Sequence, residues 1–571
     1  MSALFVMTGV QLFLGDQLGS DYTFFLPRLL YGYFWQIENG VISIPWFSPA
    51  WCGGLPFYGD PQVMFFSVPQ LLMNFLDPQQ VVFATYVFFG FTGAFGFYLL
   101  LTRSFQLNAW LALVGSVLFA FNEFYLFRLL TGHFTYHMFP LIPLVSFFII
   151  SAVQSQQWKK VFNLLLSGCL IAYFVHGGAA NFLIPAMLSV LVLLLIYSLG
   201  VATPAYRFVS HLVYSGAIGF CFSVSKIAAS FAFVRWFPRE SLSLGIFDGL
   251  RESVWSTITL LFMNPWISLN EIQSSYLVQA HELRFGVTLI PALLLLLGVA
   301  AVPSIIQKLN LRNLGIIALI VIVCSLPVIL SVKSDAIDAI LKSLPYFREM
   351  SLAVRWIALL IPIVIIVPLI LVQRLLDDMA GEAPRQRLTG AVVAVSLIGV
   401  LVSHLLTERP RDAQYNPMRL TTSYYHAKQG GSVPAISVIS SQPDKKTFIG
   451  VDDDFVAGGS SKVCYQAIFG YALERYPVKS LRDGSVFDVR SGKINIKNPA
   501  CYLFPEENAC KPGDHFTIDQ QDEAAKFATN QPFDWQMPWW QTVANWLNGF
   551  AVIAGLLTLL IATIRVVIVR D

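Results

Sequence analysis

Apolar runs of about 20 residues, long enough to cross the hydrocarbon core as a helix, alternate with short polar breaks through most of this chain. They fall near 79–102, 108–130, 138–154, 161–177, 181–199, 212–232, 286–306, 314–332, 354–373, 389–406 and 543–564, with a shorter one at 1–14. The pattern predicts an α-helical polytopic membrane protein with about twelve transmembrane helices. Three polar stretches interrupt it, at 15–78, 233–285 and 407–541. In the first, 22–38 and 62–76 are aromatic and amphipathic but too polar to span, as expected of helices lying in the membrane interface. The third is enriched in Asp, Lys, Ser, Gly and Asn, and short alternating runs such as Val451-Asp452 and Val486-Phe487-Asp488-Val489 suggest strands. The expected organisation is therefore a membrane domain over 1–406, a small α/β or mainly β soluble domain over 407–541, and a final span with a short tail over 542–571.

Composition agrees with that reading. Apolar residues make up 56% of 571 and charged residues 12%, with a mean hydropathy of +0.63, outside the balance of soluble globular proteins. A net charge of +3, with the basic residues scattered over short loops, gives no nucleic-acid footprint. No cleavable signal with a basic leading segment is evident, so insertion is expected to rely on the spans themselves. Arg103, Lys159, Lys160, Arg207, Lys308, Arg312, Arg374, Arg385, Arg387, Arg565 and Arg570 fall on one side of the alternating count. Basic residues are retained in the cytoplasm, so the three long polar stretches are predicted to be extracytoplasmic and the C-terminus cytoplasmic.

Of seven cysteines, Cys169, Cys221 and Cys324 lie in apolar runs and are expected to be packing residues. Cys501 and Cys510 bracket a short loop that a disulfide would close in an oxidising compartment, while Cys464 either stays free or pairs with Cys52. None of the cysteines has zinc-ligand spacing.

Candidate chemistry concentrates beside the membrane. Asp21, at the start of the first amphipathic segment, is placed to act as a general base or to hold a divalent ion, and is equally a preferred helix N-cap. Asp60 lies in a Gly-Asp-Pro turn, and Asp16 is a weaker rival. Lys226 interrupts an apolar run, and a charge at that depth is a functional candidate unless it snorkels to the interface. With Arg235, Arg239 and Arg355 it supplies cations at the outer ends of spans, where a phosphate would be gripped. His133 and His137 are spaced to share one helix face, for a metal or a phosphate, or as two interfacial histidines. Glu282 has Arg284 nearby as an ion-pair partner, or faces a cavity and contacts acceptor or donor sugar. Rings in 31–58, Trp46 and Tyr58 among them, are candidates for stacking on a sugar face, although interfacial belts account for most of the aromatic content.

Several short motifs occur in a fixed order. They are Gly19-Ser20-Asp21-Tyr22, Pro45-Trp46-Phe47-Ser48-Pro49, Gly53-Gly54-Leu55-Pro56, Gly59-Asp60-Pro61-Gln62 and Pro69-Gln70-Leu71-Leu72, then Phe121-Asn122, Gly132-His133, Pro140 and Pro143. Lys226, Pro238-Arg239, His281-Glu282 before Gly286, and Leu344-Pro345 with Arg355 complete the series. Together they resemble the YfhO-like bacterial membrane proteins of the GT-C class of glycosyltransferases, over about residues 15–375. The resemblance implies a multispan enzyme of the bacterial cytoplasmic membrane that takes a sugar from a polyprenyl-phosphate carrier and transfers it, usually with inversion, to a glycan, lipid or protein acceptor of the cell envelope on the periplasmic face. It implies Asp21 as catalytic base with Asp60 as second choice, and Lys226, Arg239, Arg355 and His133 at the donor phosphate. Some enzymes of the class need a divalent ion, magnesium or manganese, and others do not; no ligand cluster in this sequence decides between them.

Two other classes share these features. A flippase or transporter of lipid-linked saccharides would also carry intramembrane cations, although 79–230 is not repeated within 286–400. A non-catalytic scaffold of a glycan-assembly system would bind a partner through 407–541 and leave the acidic first loop unexplained.

Overall fold

The computed structural model describes residues 1–237, 244–263, 278–303, 310–348, 350, 352–407, 413–440, 452–462 and 481–567. Among them, eight helices are long and apolar enough to cross a membrane: Pro78–Ser104, Ala109–Thr131, Phe134–Gln154, Gln157–His176, Leu311–Leu330, Ala353–Asp378, Glu382–Leu406 and Trp539–Arg565. A ninth results if Ala205–Cys221 and Val224–Val234, which meet at a bend of 75°, are one broken span. Three further apolar helices, Ser2–Phe13, Leu183–Leu199 and Ile290–Ala301, are shorter. Every one of the predicted apolar runs thus contains helix, but four of them do not form a single full-length span. The first is only 12 residues, about 18 Å at 1.5 Å per residue, against roughly 30 Å of hydrocarbon. The chain is a mostly helical, membrane-associated protein.

Local chemistry sets the helix starts. Asp77 accepts from the N–H groups of Gln79 and Gln80 in a capping box, with Pro78 at the first helical position, and so begins the first long span. Asn108 and Asn122 cap the two halves of the next span. The interruption at Phe121-Asn122 frees Glu123 N–H to donate to the Gly286 carbonyl at 2.8 Å, tying this span to the segment that carries His281 and Glu282.

The first loop departs from expectation. The Tyr22–Asn39 helix forms, but Tyr22 through Trp35 are all buried, so it is not a helix lying in the interface with one face in water. Within 62–76 only Val68–Leu72 is helical. The reason is the C-terminal region, which covers the loop. Leu18–Gly19 pairs antiparallel with Ala413–Tyr415, Trp51 bridges to Ser461, and Cys52 N–H donates to the Ser461 carbonyl at 2.7 Å. Lys497 N–H donates to the Gly53 carbonyl at 2.7 Å. Beneath this seam the Arg28 guanidinium meets Asp452 at 2.9 Å and stacks on Phe24 and Trp51. The aromatic surface predicted to face the membrane interface is instead interior between two parts of one chain.

The C-terminal region contains two three-stranded sheets. Val438–Ser440 lies between parallel Gly459–Ser461 and antiparallel Gly484–Ser485. Lys493–Lys497 lies between Val489–Arg490 and His515–Thr517, both antiparallel. Of the strands expected at Val451-Asp452 and Val486–Val489, Val451 lies outside the described residues and Val489 begins a strand. Asp452 leads into the short Asp454–Ala457 helical turn, and Val486–Asp488 is the connection between two strands. Cys501 and Cys510 form the predicted disulfide, with Cα atoms 5.7 Å apart. Cys52 is also disulfide-bonded, and Cys464 lies outside the described residues. Cys169 and Cys221 are free but exposed, not packed as expected, because they face outward from their helices.

Candidate active site

Two of the sequence motifs meet edge to edge. Gly19 lies so close to the end of the Glu123–Thr131 helix that a Cβ there would stand 2.2 Å from the Leu130 carbonyl oxygen and 2.4 Å from that of Thr131. Gly132 ends that helix in the left-handed conformation (φ +105°), and a side chain on it would strike Tyr22 N at 2.5 Å. Asp21 N–H donates to the Thr131 carbonyl at 3.0 Å. With no side chain at either glycine, the two backbones pack directly, and Asp21 comes to lie beside His133.

Asp21 occupies the N-cap position of the Tyr22–Asn39 helix without capping it. Its Oδ2 instead lies 2.7 Å from His133 Nε2. On the other side of the ring, Arg128 donates through a terminal nitrogen to His133 Nδ1 at 2.8 Å and to Glu282 Oε2 at 2.7 Å. Arg355 donates through Nε to Glu282 Oε2 at 2.9 Å and through a terminal nitrogen to Oε1, and it also reaches the Tyr136 hydroxyl. His281 packs edge-on against the His133 ring, with centroids 4.8 Å apart. Four separate segments therefore converge: the first loop, the end of the second long span, the 280–283 turn and the start of the Ala353–Asp378 span.

Exposure divides the cluster into a mouth and a foundation. The side chains of Asp21, His133 and Arg355 are 24%, 15% and 21% exposed, whereas Arg128 is 0% exposed and Glu282 8%. Burial pushes the His133 imidazole down, with His281 and Arg128 adding to the effect against Asp21, to about 4, so the ring is neutral at pH 7. Burial raises the Asp21 carboxyl, but the attraction and hydrogen bond of His133 outweigh it, and the group stays ionised below its ordinary value. Glu282 behaves alike: burial opposes ionisation, and the Arg128 and Arg355 guanidiniums hold it well below the ordinary carboxylate range.

The other predicted residues are placed differently. Lys226 is 2% exposed, and its ammonium donates to the carbonyls of Tyr58, Asp60 and Val63 at 2.6, 2.6 and 3.3 Å. All three of its hydrogens point at backbone, so it pins the loop turn and does not present a phosphate site. Asp60 is buried and its Oδ1 accepts from Gln62 N–H at 2.9 Å, closing the turn that the Asp-Pro signal announces. Tyr58 is 2% exposed and bonds Ser225, while Trp46 packs on Tyr58 and Trp535. Trp46 thus packs the loop against the C-terminal region, and Tyr58 ties it to the Val224–Val234 helix. Glu282 pairs with two arginines, neither of them Arg284, which meets Glu123 at 3.6 Å. With both its oxygens engaged, Glu282 is an anchor and not an open sugar contact. His137 is buried between the Phe134 carbonyl and the Tyr173 hydroxyl. Asp16 is exposed, and Arg239 lies outside the described residues.

Arg128 was not singled out from the sequence, and His281 was noted only as part of a motif. The signal for Arg128 was available, since a charge within the apolar run 108–130 asks for a buried partner. For His281 the sequence holds none beyond its neighbour Glu282.

The only group of possible metal ligands among the described residues is His133, His281 and Glu282, whose ligand atoms lie within 4.8 Å of one another. This set does not fit magnesium or manganese. Those hard ions want several oxygen donors, whereas the group offers one carboxylate, already bonded through both oxygens to guanidiniums whose charge opposes a cation. Compared with known proteins, the chain matches no protein-family model and no curated sequence.

Proposed function

We propose that this protein is an integral membrane glycosyltransferase that moves a sugar from a polyprenyl-phosphate carrier to an acceptor at the extracytoplasmic face, with Asp21 as the base. The observation that carries the reading is the partly exposed Asp21–His133 pair at 2.7 Å, joined through Arg128 and Glu282 to the partly exposed Arg355. A carboxylate and a guanidinium exposed in one cluster match the two charges that develop in the transfer. As the acceptor oxygen attacks the anomeric carbon, its proton passes to Asp21. As the bond from that carbon to the carrier phosphate breaks, the negative charge left on the phosphate lies near Arg355. A carboxylate held below its ordinary value is a weak base toward a resting hydroxyl. It acts late, when C–O bond formation has made the acceptor proton acidic. The motif order resembling YfhO-like proteins adds to the reading, and so do apolar helices that would let the carrier keep its lipid in the bilayer.

One observation favours a transporter of lipid-linked saccharides: the bent helix pair with Lys226 just beyond the bend, as in broken-helix carriers. Lys226 is occupied by loop carbonyls, however, so the ion site such a carrier needs is already filled by the protein itself. The test is sugar release from a short-chain polyprenyl-phosphate hexose by purified protein, with lipid binding followed in parallel. Turnover by the wild type, and binding without turnover by Asp21→Asn, is the expected result. Binding by both and turnover by neither, even with membrane extract as a source of acceptors, overturns catalysis in favour of transport or scaffolding.

A further inference from the structure

We propose that Arg128 is a positioning residue: it fixes the tautomer of His133 and, through that ring, the orientation of Asp21. The inference deepens the proposed function and rests on it for the role of Asp21; the tautomer itself stands on geometry alone.

A guanidinium has donors and no acceptor, and it does not lose its proton in proteins. The contact of 2.8 Å between the Arg128 terminal nitrogen and His133 Nδ1 therefore requires a lone pair on Nδ1. A neutral imidazole with a bare Nδ1 carries its hydrogen on Nε2, and Nε2 is the atom 2.7 Å from Asp21 Oδ2. The hydrogen of His133 is thus directed at the carboxylate, and the chain runs Glu282, Arg128, His133, Asp21. The opposite tautomer would set two hydrogens against each other at Arg128 and two lone-pair groups against each other at Asp21.

Arg128 is held rigidly for this purpose. It is fully buried, its second terminal nitrogen reaches the Glu282 backbone carbonyl at 3.3 Å, and its guanidinium lies over the Phe124 and Tyr136 rings at 5.2 Å. Its orientation is set by Glu282, Phe124 and Tyr136 as well as by the ring it serves. With Oδ2 bound by the ring, Asp21 Oδ1 has, among the described residues, a long contact of 3.4 Å from the Ser20 hydroxyl. On the proposed function, Oδ1 is the oxygen left to take the acceptor proton. The charged or titratable groups around His133 are Asp21 from the first loop, Arg128 from its own span, His281 and Glu282 from the 280–283 turn, and Arg355 with Tyr136.

The test is nitrogen NMR of the full-length protein in nanodiscs, with ring-labelled histidine and His133 identified by the signals that vanish in His133→Gln. The expected wild-type result at pH 7 is a bare Nδ1 and a protonated Nε2. A protonated Nδ1, or a doubly protonated ring, overturns the proposal. In Arg128→Met the expected result is a mixture of tautomers, a kcat lower by about 30-fold with KM for the lipid changed less than threefold, and an acid limb of kcat moved to higher pH. If Arg128→Met fails to fold, Arg128→Lys takes its place, and the wild-type spectrum remains decisive either way. An Arg128 variant that folds and leaves both tautomer and pH profile as in the wild type overturns the proposal. Within the His133 variants, Gln can offer an acceptor to Arg128 and a donor to Asp21, and is expected to keep at least tenfold more activity than Leu. Equal activities overturn the positioning role. A wild-type protein that shows the expected tautomer and no turnover removes the glycosyltransferase reading and leaves the hydrogen-bond assignment standing.

Discussion

Lys226 and His133–Asp21 look alike in the sequence, as polar groups where an apolar protein should not need them, yet the structure uses them in opposite ways. Each hydrogen of the Lys226 ammonium points at a carbonyl of the first loop, and nothing of it faces outward. The Asp21 carboxylate has one oxygen held by a histidine and about a quarter of its side chain still open. A buried charge is therefore not functional because it is buried. What separates the two is the bonding capacity left after the protein's own backbone has been served. The carboxylate has some left, and the ammonium has none.

The largest effect that sharpens this contrast is on turnover. Asp21→Asn keeps the size and the hydrogen bond acceptor but loses the base, so activity on a polyprenyl-phosphate sugar is expected to fall by about 10³-fold, within the range for general base catalysis. Its melting temperature in detergent should stay close to wild type; a fall matching that of a core mutant would make Asp21 structural like Lys226. The converse holds for Lys226→Met. It leaves carbonyls of the loop turn without their donor and should lower stability by on the order of 3 kcal/mol, read by tryptophan fluorescence on heating, while lipid affinity of the folded fraction is unchanged. Weakened lipid binding with normal stability would return Lys226 to the phosphate site.

Two smaller effects probe the contact that brings Asp21 to His133. Gly19→Ala puts a methyl against the Leu130 and Thr131 carbonyls and should shift Asp21 by a fraction of an ångström, costing about tenfold to a hundredfold in turnover. A variant with full activity would show that the site tolerates a displaced carboxylate. The smallest effect is on pH. The His133 value is about 4 in the folded protein, below the roughly 6.5 of an unfolded chain. The unfolded chain then binds the proton first, so the stability that His133 contributes is present above pH 6.5 and is lost as pH falls from there toward 4. Between pH 6.5 and 5.5 the loss is about 1 kcal/mol, and it should be absent from His133→Gln. A slope of the opposite sign would mean that His133 is charged in the folded state and would break the contrast.

Much of the fold was legible in the apolar runs, because a helix that must cross about 30 Å of hydrocarbon writes its length into the sequence. The turn role of Asp60 was legible as well, since Asp-Pro restricts the backbone locally. The burial of the Tyr22–Asn39 helix was not legible. Its aromatic, amphipathic pattern suits a bilayer interface and a protein interface equally, and only the docking of Ala413–Tyr415 and Ser461 decided between them. The partners of Lys226 were not legible for a related reason: carbonyls belong to the backbone and leave no residue signature.

By itself, then, the sequence determined the apolar helices of a membrane-associated chain, the polar nature of 407–541 and the Cys501–Cys510 closure. These follow from residue type and from spacing along the chain, both local quantities. Which groups stand beside Asp21 was decided by tertiary structure alone. His133, Arg128, Glu282 and Arg355 come from segments up to 334 positions apart in the numbering, Asp21 to Arg355. They are brought together where Gly19 and Gly132 allow two backbones to touch. Hydrogen bonds act over about 3 Å of space and are indifferent to distance along the chain, so the partner that turns a carboxylate into a site is specified only once the chain has folded.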